Sequence, residues 1–123
     1  MTFMTMVADD ADGWSADRDA LTEAVRARWP EAETDTSEGG EVRGIIWRFE
    51  TENGPGEAYL HAKGTCLYMD TGEEDAIRLA IAFRGLTPAR LDLVFCDEGY
   101  SFDVRVPAGT TEHGLTALVD AAE

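Results

Sequence analysis

His61 and Cys66 are the residues of this chain whose types and spacing come nearest to nucleophilic chemistry. They flank Lys63-Gly64, a turn dipeptide, inside a run of alternating side chains from Glu57 to Asp70. A two-residue turn there sets them opposite one another on adjacent strands, close enough for imidazole and thiol to touch. A thiolate beside a base is an activated nucleophile. The pattern holds no third group to orient the imidazole, and no glycine-flanked nucleophile elbow. The simpler reading is an outer-face strand histidine beside a half-buried thiol. No catalytic residue is assigned on this basis, and a small enzyme or ligand-binding protein using a His61/Cys66 pocket stands as the alternative reading.

The carboxylates offer two further candidates. Asp97-Glu98 at a hairpin tip has the types for an acid and a base, but a turn asks for the same residues. Asp9-Asp10-Ala11-Asp12-Gly13 looks briefly like a calcium loop. Setting Gly13 on the invariant glycine places Asp10 and Asp12 at ligand positions, but also Ala8 at the first position and Asp19 where a bidentate glutamate belongs. The stretch therefore reads as an acidic loop ahead of a helix. Cys66 and Cys96 lack metal-ligand spacing. Gly54-Pro55-Gly56 lacks the following helix that a phosphate loop needs. His113 falls in the first turn of a terminal helix, in solvent. No metal and no cofactor is expected.

A surface is more promising than any of these groups. Alternation sends Tyr59, His61, Cys66, Tyr68, Val94 and Cys96 to one side of a sheet, with Ile46, opposite the side that forms the core. Left uncovered, this is an aromatic patch rimmed by charge, the character of a binding site. Covered by the last helix or by the N-terminal segment, it is a second small core.

The elements that position this surface follow from local signals. Arg90–Pro107 is the clearest: Leu91, Leu93 and Phe95 alternate with Asp92, Val94 and Cys96, and Phe102, Val104 and Val106 with Ser101, Asp103 and Arg105. A loop at Glu98-Gly99, with Gly99 supplying positive φ, pairs Phe95 with Phe102, Leu93 with Val104, Leu91 with Val106 and Asp92 with Arg105. Glu41–Thr51 reads as a strand with Ile45, Trp47 and Phe49 on one face. Residues 52–56 read as a turn, with Pro55 forbidding a ladder donor. Glu57–Asp70 reads as a hairpin pairing Ala58 with Met69, Leu60 with Leu67 and Tyr59 with Tyr68. Ser15 is set to cap a first helix that Pro30 stops. Thr71 with Glu74 suggests a capping box, and Gly85-Leu86 a Schellman ending, for a helix over Thr71–Arg84. Thr110 or Thr111 caps a last helix bearing Leu115, Leu118, Val119 and Ala122. Residues 31–40 read as a polar loop, and residues 1–13 as an edge strand or a flexible N-terminal segment.

Together these predict one domain over residues 1–123, an α+β fold with a five-stranded, mostly antiparallel sheet and three helices on its apolar face. Hydrophobic content of 44% is that of a globular chain. The charge is unusual: 25 acidic residues face 10 basic ones, a net charge of −15. This disfavours nucleic acid and anionic membranes as partners and favours a more basic protein. Acidity of this kind also serves solubility or salt adaptation alone. The first residues lack the basic region of a signal peptide, no run approaches the ~20 apolar residues of a membrane span, and two free thiols suit a reducing compartment. A cytoplasmic protein is expected.

The order α-β-β-β-α-β-β-α over the whole chain resembles the type III secretion chaperone-like fold, which the YbjN-type proteins share. That resemblance implies an acidic, dimeric, non-catalytic binder of other proteins. The expected function is accordingly a non-catalytic protein-binding module, a chaperone, immunity protein or adaptor that masks a more basic partner. A homodimer joined through the aromatic face is a further expectation.

Overall fold

The computed structural model describes residues 2–36 and 43–122. Among them the chain runs β1 (Thr2–Val7), α1 (Arg18–Arg28), β2 (Glu33–Asp35), β3 (Arg43–Thr51), β4 (Gly54–His61), β5 (Cys66–Asp70), α2 (Glu73–Leu86), β6 (Leu93–Asp97), β7 (Asp103–Arg105) and α3 (Glu112–Ala122). The α+β class and the three helices are as expected. The sheet is not: it has seven strands rather than five, in the order β2-β3-β4-β5-β1-β6-β7, and every pairing is antiparallel.

Both extra strands come from stretches expected at the margin. Thr2–Val7 is no edge or tail but an interior strand, paired with β5 on one side and β6 on the other. The physical reason is the pair of open edges left by the meander and the hairpin, each needing ladder partners. An alternating segment with Phe3 and Thr5 turned to the core joins them. Part of the expected loop 31–40 is β2, a polar strand paired with β3 through Glu33↔Arg48, Thr34↔Trp47 and Asp35↔Ile46. Ser37–Gly40, and the expected strand start at Glu41 and Val42, lie outside the described residues.

The expected register of β4 and β5 is the observed one: Leu60 opposes Leu67, Tyr59 opposes Tyr68 and Ala58 opposes Met69. Gly64, at φ 75°, makes the turn. Pro55 stands inside β4 rather than in a turn, past the last rung shared with β5, Glu57↔Asp70, where a missing N–H leaves no strand unserved. The β6–β7 register is displaced by two residues from expectation, with Phe95 opposite Val104. Asp97 causes this. Its Oδ1 accepts from the Ser101 amide at 2.7 Å, its Oδ2 accepts from the Ser101 hydroxyl, and its carbonyl accepts from the Tyr100 amide. The longer turn this organises puts Tyr100, not Gly99, at positive φ (54°). A shift by an even number keeps every side chain on its expected face. Asp92 and Arg105 still form an ion pair, diagonally, at 3.6 Å.

The helices pack on one side of the sheet. Leu21 and Val25 of α1, Ala76, Ala80 and Phe83 of α2, and Leu115 and Val119 of α3 join one cluster with Phe3, Trp47, Leu60, Leu67, Met69 and Phe95. The Trp47 indole N–H donates to Thr22 of α1 at 2.9 Å. Asp17, not Ser15, caps α1, accepting from the Asp19 and Ala20 amides. The Thr71–Glu74 box does not form: Gly72 is the N-cap, and the Thr71 hydroxyl donates to the Gly72 carbonyl instead. Gly85 continues the helix in place of a Schellman ending, and Thr87 caps it in extended conformation. Thr111 does cap α3, accepting from the Gly114 amide, though Leu118 faces out. Arg84, 4% exposed, anchors the helix end. Its guanidinium donates to the carbonyls of Leu91, Val106, Thr87 and Pro88.

Candidate functional site

Cross-strand pairing places the outer-face residues in rows that run across the sheet. One row reads Asp35, Ile46, Tyr59, Tyr68, Met4, Cys96, Asp103, a single line through all seven strands. It is apolar and aromatic in the middle and acidic at both ends. Beside it lie Cys66, Met6, Val94 and Arg105, each opposite the next. His61 follows Leu60 just beyond the last rung with β5, so the same register sets it against Cys66. On the other flank run Glu33, Arg48, Glu57, Asp70 and Thr2.

The sheet therefore brings Tyr59, His61, Cys66, Tyr68, Val94 and Cys96 onto one face, as the alternation implies. Among the described residues no helix covers it: Ile46 and Cys96 are buried, yet neither belongs to the cluster beneath the helices. The other five residues of the set, Val94 among them, are half-buried, as are Met4 and Met6. The last helix lies on the opposite side, and the N-terminal segment does not cover the face but contributes to it. Met4 and Met6 thus belong to this surface. Their signal was the alternation in Thr2–Val7, which also put Phe3 and Thr5 inside.

Tyr59 and Tyr68 stack with ring centroids 4.5 Å apart and planes 14° apart. Burial pushes the Tyr68 hydroxyl up to about 12, with the neighbouring Cys66 adding to the effect. Burial likewise pushes the Cys66 thiol up to about 11; a hydrogen bond with Tyr68 opposes this and Cys96 reinforces it. The Cys96 thiol also rises to about 11, through burial first and then the charges of Asp103 and Asp97. Such thiols are protonated at neutral pH and are poor nucleophiles. His61 Nδ1 accepts from the Lys63 amide at 3.1 Å, so that nitrogen serves the turn. Arg48 lies 3.4 Å from Asp35 and 3.3 Å from Glu57, and the hydrogen bond to Asp35 leads in raising its pKa.

The other candidate groups stay apart. Asp97 is a turn organiser whose carboxyl is held below its ordinary value, chiefly by the Ser101 hydroxyl, and Glu98 is exposed beside it. In the Asp9–Gly13 loop, Asp10 accepts from the Asp12 amide and Asp12 lies 3.5 Å from Arg90. Among the described residues no group of three or more His, Cys, Asp or Glu side chains is placed to hold a metal ion, and no helix is long and apolar enough to cross a membrane.

What this face can do chemically is bury apolar and aromatic area against another molecule, with charge at its borders to orient the contact. Compared with protein-family models, with curated proteins and with solved structures, the chain matches none.

Proposed function

We propose that the protein is a non-catalytic binding module that holds a more basic protein against the outer face of its sheet. The observation that carries this reading is the helix-free row Tyr59–Tyr68–Met4–Cys96, ending in acid at Asp35 and Asp103. Aromatic and methionine side chains are what protein interfaces use at their centres. A net charge of −15 draws a basic partner in and repels polyanions. A role in masking a basic client, as a chaperone, immunity protein or adaptor does, fits this chemistry. The protonated thiols and the turn-bound His61 favour binding over the alternative of catalysis by a His61/Cys66 pair.

The test is affinity capture from the native cell with the natural chain and with a Met4→Asp/Val94→Asp variant. The expected result is a basic protein retained by the natural chain at low salt, weakened at high salt and lost with the variant. The same set of proteins on both would remove the sheet face from the reading. Sedimentation of the purified chain separates a homodimer through this face from a heterologous complex.

A further inference from the structure

We propose that one end of the sheet is a docking groove for an extended, cationic polypeptide segment. This rests on the reading of a basic partner and adds, beside the tyrosine face, a second contact for one of its extended segments. At this end β3, β5 and β6 finish and β1, β2, β4 and β7 begin. Two cavities open here. One, of about 810 Å³, lies between the end of α1, the start of β2 and the β3–β4 turn. The other, of about 560 Å³, lies between that turn, the start of α2 and the β6–β7 turn. Pro55 and Asp70 line both, so the two adjoin.

Their walls are acidic. Glu31, Glu33, Glu50 and Glu57 line the first, Asp70 the junction, and Glu73 and Asp97 the second. Among the described residues, the cations that line either cavity are Arg28 and Arg48. Both are committed within the chain: Arg48 to Asp35 and Glu57, Arg28 to Asp75 at 3.9 Å and to the face of Trp29 at 5.4 Å. Glu31, Glu33 and Glu50 are exposed. The start of α2, where a helix dipole disfavours cations, is offset by Glu73, Glu74 and Asp75 in its first turn.

The apolar parts of the walls select the kind of cation. Trp29 stacks on Phe49 at 4.0 Å in the first cavity, and Phe3 and Phe102 lie 6.3 Å apart in the second. The rings are buried and only floor the cavities; the exposed Pro30 and Pro55 beside the carboxylates suit the aliphatic stems of arginine and lysine, with their charged heads at the rim. From β2 to β6 the groove crosses six strands, about 24 Å at ~4.8 Å per strand, or about seven residues of extended chain. A small free cation would fill a fraction of that length. A second copy of this chain would bring the same negative charge.

The test is fluorescence anisotropy with a labelled peptide of alternating arginine and alanine, about eight residues long, at about 0.02 M and about 0.3 M salt. Two variants carry equal added charge, Glu33→Lys/Glu50→Lys at the groove and Asp9→Lys/Asp120→Lys on exposed sites away from it, and a third, Met4→Lys/Val94→Lys on the tyrosine face, adds half as much, with circular dichroism checking each fold. The expected result is binding at low salt that the groove pair weakens about tenfold or more and the distant pair by about twofold or less. Equal weakening by the first two pairs would overturn the groove and leave the basic-partner reading standing, as would a loss confined to the tyrosine-face variant. No binding of the natural chain at low salt would overturn both.

Discussion

Tyr59 and Tyr68 face one another across β4 and β5, ring on ring, at the centre of a row that crosses the whole sheet. The pair does two things. It fastens β4 to β5 within the meander, and it presents a flat aromatic platform on the face that none of the described helices covers. A double-mutant cycle separates the first role. Tyr59→Ala and Tyr68→Ala, alone and together, are expected to show a coupling of about 1 kcal/mol in urea unfolding, beyond the area each loses. Strictly additive losses would mean that the stack contributes nothing specific.

The thiols make a pH prediction. Cys66 and Cys96 rise from an ordinary 9.0 to about 11 in the folded protein. The fold therefore favours their protonated forms, and that contribution is fully present below pH 9.0. It is lost as pH climbs from 9.0 through about 11, because the unfolded chain ionises first. Stability measured by urea titration is expected to fall across this window, and to fall less in a Cys66→Ala/Cys96→Ala variant. Alkylation of the native thiols at pH 8 is expected to be slower than that of a free cysteine. Rapid labelling of Cys66 at neutral pH would return attention to its pairing with His61.

Thr5 offers a stabilising substitution. It is wholly buried on the core side of β1, and its hydroxyl has no partner among the described residues. An unmatched buried hydroxyl costs about 1–3 kcal/mol, and valine has nearly the same shape. Thr5→Val is expected to raise stability by about 1 kcal/mol, read as a higher urea midpoint at unchanged slope. A lower midpoint would show that the hydroxyl has a role in the native state.

Much of the local structure was legible because it rests on nearest-neighbour physics. Lys63-Gly64 sets the β4–β5 register, since one glycine at positive φ between two alternating runs leaves little freedom in pairing. Thr111 as the cap of α3 was legible for a similar reason. The caps of α1 and α2 were not. Ser15 and Asp17, or Thr71 and Gly72, lie within two residues of each other, and the choice between them depends on how the incoming loop is held. The β6–β7 register was missed because Asp97 organises its turn through Ser101, a contact that a reading centred on Gly99 does not weigh.

The candidate surface divides in the same way. Side-chain alternation alone placed Tyr59, His61, Cys66, Tyr68, Val94 and Cys96 on one face, since the period of a strand is a covalent matter of backbone geometry. The sequence also determined the sign of the chain's own charge, −15, because net charge needs no fold. Only the tertiary structure decided that Thr2–Val7 runs between β5 and β6, adding Met4 and Met6 to the face and joining two separate hairpins into one sheet. Strand adjacency between segments far apart in the chain depends on which open edges remain once the local pairs have formed. Only the structure, too, decided that the last helix joins the others on the core side rather than covering the outer face, and gathered acidic residues from scattered loops and strand ends along one end of the sheet.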